Sequence, residues 1–137
     1  MKFSLAVMAF AALLLVAACD TNVVEPDPDD GNNGTADVSF ASEVLPILTS
    51  NCGGSGCHAP GTQSGVGLSS YLAVTTSVGT QYGTRIVVPG NAAASPLIEK
   101  ISGPLQFGAR MPLGRPTLSS AQVTTIRNWI NEGAKNN

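Results

Sequence analysis

Apolar residues recur at helical spacing in two well-separated stretches, and these set the frame for the rest. Near the C-terminus, Val123, Ile126, Trp129 and Ile130 form one buried stripe with polar residues between them. Ser119 stands as N-cap with Gln122 three residues on, a capping box, and Leu118 is placed to staple onto Val123. Gly133 ends this helix and Lys135 suits its negative end. Earlier, Phe40, Val44, Ile47 and Leu48 share one face of a helix capped by Ser39, with Pro46 kinking or restarting it. Two shorter helices are expected. One lies within 68–78, with Tyr71, Leu72 and Val74 inward. The other runs from Ser95 to Ile101, with serine at the cap, proline at the first position and Gly103 at the stop. Ala59 to Gly67 reads as loop. The β-branched run Arg85 to Val88 reads as an extended segment, not a sheet strand, because no partner strand is evident. The pattern therefore predicts an all-α fold of short helices joined by long irregular loops.

The first 37 residues stand apart. Lys2 gives a positive start, and the apolar run from Leu5 ends Leu15-Val16-Ala17-Ala18-Cys19, small residues before a cysteine. This is read as a bacterial lipoprotein signal over residues 1–18, with Cys19 the lipidated N-terminus. The alternative is an ordinary signal peptide with a free Cys19. Residues 19–37 are read as an acidic, proline-broken tether that holds no packed structure and spans about 20–25 Å. Either signal places the mature chain outside the cytoplasm. Lipidation holds it to a membrane, with the bilayer as a partner and inner versus outer membrane left open.

Charge and composition sharpen this picture. The chain has 137 residues and a net charge of −2, and the tether carries six of the nine acids. Residues 38–137 carry Arg85, Lys100, Arg110, Arg115, Arg127 and Lys135 against Glu43, Glu99 and Glu132, a mildly basic balance that does not suggest nucleic acid. At 5% aromatic residues the domain has thin core material, a deficit that a large buried apolar prosthetic group would make up.

The chemistry concentrates in Cys52-Gly53-Gly54-Ser55-Gly56-Cys57-His58. His58 is the sole histidine. A cysteine directly before a histidine, with a second cysteine upstream, is what covalent haem attachment requires: two thioethers, and an imidazole under the ring. Four residues separate the cysteines where the usual signature has two, and three of the four are glycine. Met111 is the only methionine left after the signal is removed, in a proline- and glycine-rich loop before the last helix. Its thioether suits the second axial position; the alternative is a methionine filling a core gap. Other chemistries remain open for the cysteines. They could close a disulfide loop in a haem-free binding or structural module. With His58 they could give three zinc ligands, though no fourth is evident.

The ordered pieces Val44-Leu45-Pro46-Ile47-Leu48, Cys52…Cys57-His58, Leu68-Ser69-Ser70-Tyr71, Val88-Pro89-Gly90, Ser95-Pro96-Leu97, Met111-Pro112, Leu118-Ser119 and Trp129-Ile130-Asn131-Glu132-Gly133-Ala134 resemble the planctomycete/Bacteroidetes type of c-type cytochrome domain. The resemblance covers essentially all of 38–137. It implies a class I cytochrome c-like fold in which first and last helices pack around one covalent haem c. It also implies thioethers at Cys52 and Cys57, His58 and Met111 as iron ligands, and no enzymatic activity. The expected role is one-electron carriage between redox partner proteins. Leu68, Val87, Val88, Pro89, Leu105 and Phe107 are candidate haem walls. Arg85 and Arg110 are candidate partners for the propionates, or else solvated arginines. Trp129 is assigned to helix packing. A labile Met111 bond would instead leave the iron open to a gas or a peroxide.

Overall fold

The computed structural model describes residues 37–137. The signal sequence, Cys19 and all of the tether except Asp37 lie outside the described residues.

Trp129 is fully buried, and its surroundings show why the two long stripes matter. Its ring lies 5.2 Å, centroid to centroid, from Phe40, and Phe40 meets Tyr71 edge-on at 5.3 Å. Val44, Leu48, Ile126 and Ile130 complete this centre with no exposed surface. The polar tips are satisfied at the periphery: Trp129 Nε1 donates to Lys135 O (2.8 Å) and the Tyr71 hydroxyl to Ala134 O (3.0 Å). Among the described residues no buried side-chain nitrogen or oxygen lacks a partner, as the cost of an unpaired buried polar atom requires.

The first helical stretch is two segments. A π-helical turn, Phe40–Val44, is capped by Ser39, whose hydroxyl accepts from Ser42 N, and runs into α1, Leu45–Cys52. Pro46 sits in the first turn of α1, where its missing N–H costs nothing. The restart expected at Pro46 is thus the junction between the two segments. α2 is Tyr71–Thr76; Val74 is buried and Tyr71 half-buried, but Leu72 is 69% exposed, correcting its inward assignment. α3 is Pro96–Ser102 and α4 is Ser120–Asn131. Ser95 precedes α3 as expected without capping it through its side chain. Its buried hydroxyl instead accepts from Val88 N and donates to Asn91 O, both at 2.9 Å, pinning the preceding loop. α4 carries the full capping box: Ser119 Oγ accepts from Gln122 N and Gln122 Oε1 from Ser119 N. Gly133, at φ +98°, lets Ala134 N bond back to Trp129 O.

The expectation of an all-α, class I cytochrome c-like fold is corrected. β1, Val78–Gly79, pairs antiparallel with β2, Thr84–Arg85, in the register Val78 to Arg85 and Gly79 to Thr84. The fold is mixed: helices with one two-stranded ribbon. Gly83 at φ +64° closes the turn, with Tyr82 N and Gly83 N both bonding to Gly79 O. Arg85 is therefore a strand residue, and the partner strand that seemed missing lies just upstream. Each strand is two residues long, too short to show an alternating pattern.

The start and end of the described unit are stitched together. Phe40 N and Ala41 N bond to Asn137, Val38 N bonds to Glu132 Oε2, and Lys135 pairs with Asp37 at 2.5 Å. Asp37 thus pairs with the folded unit, one residue before the boundary drawn from sequence. Replacing Ser119 by Ala removes the α4 cap and should lower stability by about 1 kcal/mol. That corresponds to a fall of roughly 4–8 °C in melting temperature for a domain this size, read by thermal denaturation.

Candidate cofactor-binding cleft

α1 delivers Cys52 at its last residue, and the chain then turns through the four-residue insert. The loop is closed at both ends by backbone bonds: His58 N to Cys52 O (3.1 Å), Gly54 N to Ala59 O (2.9 Å) and Cys57 N to Gly54 O (3.1 Å). Gly53 and Ala59 form a single parallel bridge. Glycine is required here for two reasons. Gly54 and Gly56 hold φ of +123° and +74°, and a Cβ on Gly53 would lie 2.3 Å from Thr49 O. The longer spacing is thereby folded away, and both cysteines line the same cleft as His58.

His58 is oriented by the loop that follows. Its Nδ1 lies 3.0 Å from Val66 O, and its own carbonyl accepts from Leu68 N at 2.7 Å. A carbonyl only accepts, so Nδ1 donates to it, and in the neutral ring Nε2 is the nitrogen that keeps its lone pair. Metal-binding histidines are commonly fixed in this way. Among the described residues Nε2 has no hydrogen-bond partner.

Met111 reaches the same cleft from the other end of the sequence. The loop from Gly103 to Met111 is strapped to α3. Met111 N bonds to Lys100 O (2.9 Å), Lys100 Nζ donates to Ala109 O (3.2 Å) and to Phe107 O, and the Glu99 carboxylate accepts from Gln106 N. Arg110 donates to Gly103 O (2.8 Å) and Ile101 O (3.4 Å) at the end of α3, where the exposed carbonyls attract a cation.

The cleft has a volume of about 280 Å³, just below the roughly 300–1,000 Å³ usual for small-molecule sites, and its lining is mainly apolar. Leu68, Ile86, Leu97 and Ile101 form walls, and Lys100 and Arg115 supply cations. Among the described residues no carboxylate lines it. Of the wall candidates read from sequence, only Leu68 borders the cleft. Val87 is core, and Leu105 and Phe107 are each 38% exposed. Neither Arg85 nor Arg110 borders it; Arg85 is exposed on the ribbon and Arg110 holds α3. The cations at the cleft are the two that sequence reading passed over. Lys100 is three residues after Leu97 and so shares its helical face, a signal that was present. Arg115 lies just beyond Met111-Pro112, its guanidinium 3.0 Å from where a Cβ on Gly54 would stand.

The donor set tests what could bind. Two thiols, a histidine with a free Nε2 and a thioether border one apolar space whose charged lining is wholly cationic. This fits haem, an apolar macrocycle with vinyl groups for the thiols, an iron for nitrogen and sulfur, and two carboxylates for the cations. Among the described residues no three His, Cys, Asp or Glu side chains gather as a metal cage, so Cys52, Cys57 and His58 do not form the zinc site considered from sequence. Cys52 and Cys57 are both free thiols.

Comparison of the chain with protein-family models, with curated proteins and with solved structures gives no match.

The two thiols differ in environment. Cys52 is 7% exposed, and burial pushes its thiol up to about 11 even though Arg115 acts in the opposite direction. Cys57 is half-buried. Because the thiolate is the nucleophile, iodoacetamide at neutral pH should label Cys57 first in the folded, cofactor-free chain. Cys52 should label after denaturation, or as the pH rises toward about 11. Peptide mass spectrometry reads the order, and equal labelling at neutral pH would contradict it.

Proposed function

We propose that this chain is a c-type cytochrome, a one-electron carrier holding one haem c and tethered to a membrane through lipidated Cys19 outside the cytoplasm. The supporting observation is the convergence of Cys52, Cys57, His58 and Met111 on one mainly apolar cleft. Bound there, haem c would supply an iron that gains and loses a single electron. Cys52 and Cys57 would hold it as thioethers, their S–H bonds adding across its two vinyl groups without any external oxidant. His58 offers Nε2, with Nδ1 committed to Val66 O. Met111 offers its thioether from the strap. Arg115 and Lys100, which border the cleft where Arg85 and Arg110 do not, would pair with the propionates and remove the cost of leaving carboxylates unpaired in an apolar setting. With His58 and Met111 both holding the iron, none of its positions would be open to a substrate, so the proposed role is carriage and not catalysis. The partners are redox proteins that meet the domain on its tether, steered by its mildly basic surface.

The deciding measurement is a denaturing gel of chain produced alongside a haem-attachment system, stained for haem, then a pyridine haemochrome spectrum. Haem that stays on the denatured chain, with the two-thioether spectrum, is expected. A folded chain without haem, where a control cytochrome matures, overturns the reading and leaves the disulfide module. Met111→Ala should keep the haem but lose its low-spin His/Met spectrum, and an unchanged spectrum removes Met111 from the site. His58→Ala should abolish stable incorporation. Cys52→Ala should shift the haemochrome band to the one-thioether position.

A further inference from the structure

The structure assigns Glu99 as the positioning residue for Met111, a role that rests on reading Met111 as an iron ligand. The two walls of the cleft that bear on Met111 are separate pieces of chain: the turn of the ribbon, carrying Tyr82, and the strap from Gly103 to Met111. Glu99 is the side chain that holds both. Its Oε1 accepts from the Tyr82 hydroxyl at 2.6 Å and from Gln106 N in the strap. Lys100 and Arg110 also hold the strap, but their hydrogen bonds tie it only to α3, and Lys100 meets the ribbon only across the face of the Tyr82 ring.

The packing around this junction is close. The Phe107 ring meets Tyr82 edge-on at 5.1 Å, and Lys100 Nζ stands 5.7 Å from the Tyr82 ring centre. A Cβ on Gly108, which holds φ +60°, would come within 3.1 Å of Gln81 Oε1 and 3.2 Å of Lys100 Nζ. A Cβ on Gly103 would lie 3.1 Å from Glu99 Cα. Strap, ribbon and α3 therefore fit together only while glycines occupy the contact points and Glu99 bridges the gap. The shared hydrogen bond also leaves its mark on both partners. Burial first and then this bond push Tyr82 up to about 12, and the bond holds the Glu99 carboxyl below its usual range.

The cleft is thus built unequally. The His58 side is fixed by backbone bonds on either side of the ring. The Met111 side has a backbone bond at each end of the strap, Gly103 N to Glu99 O and Met111 N to Lys100 O, and between them depends on the side chains of Glu99, Lys100 and Arg110. Removing Glu99 takes away the hydrogen-bonded bridge between strap and ribbon, leaves only the Phe107–Tyr82 ring contact and close packing between them, and leaves His58 and the helices as they are.

The test compares wild type, Glu99→Ala, Glu99→Gln and Tyr82→Phe by hydrogen exchange and by the far-red methionine–iron absorption band. In Glu99→Ala the amides of Gln106 and Met111 should exchange about tenfold faster, since a hydrogen bond to a charged group is lost. The amide of Leu68, bonded to His58 O, should keep its rate. The haem should stay attached while the far-red band weakens and the reduction potential falls. Glu99→Gln keeps an acceptor and should restore part of the band. Tyr82→Phe should change the strap less than Glu99→Ala. Unchanged exchange and an unchanged band in Glu99→Ala overturn the assignment, as does faster exchange spread equally over Leu68. A wild-type chain that carries no haem overturns the cytochrome reading instead, and the exchange rates still decide whether Glu99 holds the strap.

Discussion

The arrangement depends on the seam between the N-terminal helical turn and α4. Phe40 against Trp129, with Val44, Leu48, Ile126 and Ile130 around them, takes six large apolar side chains almost completely out of water. α1 continues directly from that seam, so the position of Cys52 is fixed by packing of Phe40, Val44 and Leu48 upstream of it. α3 packs on α4 and turns Leu97, Ile101 and Lys100 toward the cleft. Both approaches to the cleft, the cysteine loop and the methionine strap, thus depend on one hydrophobic contact between the two ends of the described unit. The hydrogen bonds to Asn137 and Glu132 and the Asp37–Lys135 pair close that contact at its rim, where exposed ion pairs contribute little.

What was legible in the sequence was whatever carries a periodic or capped signal. The stripe and capping box of α4, the Ser39 cap and the helix from Pro96 all have apolar spacing or end signals that act locally, and each forms as expected. The ribbon was hidden because its strands are two residues long and its pairing is set by the Gly79–Gly83 turn, which no alternation announces. The solvent-facing position of Leu72 was hidden for a related reason: in a helix of six residues a shift of one or two residues, about half a turn, moves a side chain from core to solvent, and apolar identity alone does not fix the phase.

The site divides the same way. Cys52, Cys57, His58 and Met111 could be named from residue type because few other side chains do their chemistry, and they share one cleft. The arginines could not, since a guanidinium on a long stem serves whichever acceptor the fold brings near. Arg110 lies next to Met111 in sequence, yet its nearest acceptors are the bare carbonyls ending α3. Arg115, further along, is the one that returns to the cysteine loop. Sequence proximity to Met111 therefore does not tell which cation borders the cleft, while the helical face shared by Leu97 and Lys100 does.

The four-residue spacing between the cysteines is the sharpest departure from the usual haem-attachment signature, and the loop geometry explains how it is accommodated. A longer insert of ordinary residues would push Cys57 and His58 away from the end of α1. Here the insert folds back on itself: His58 N closes on Cys52 O, and Gly54 pairs with Ala59. That closure needs positive φ at Gly54 and Gly56 and a bare backbone at Gly53 against Thr49 O. The added residues lengthen the chain between the thiols while the two cysteines still border one cleft. Spacing in sequence is thus a poor guide to reach when glycine fills the interval, and the relevant quantity is where the backbone bonds bring the two ends together.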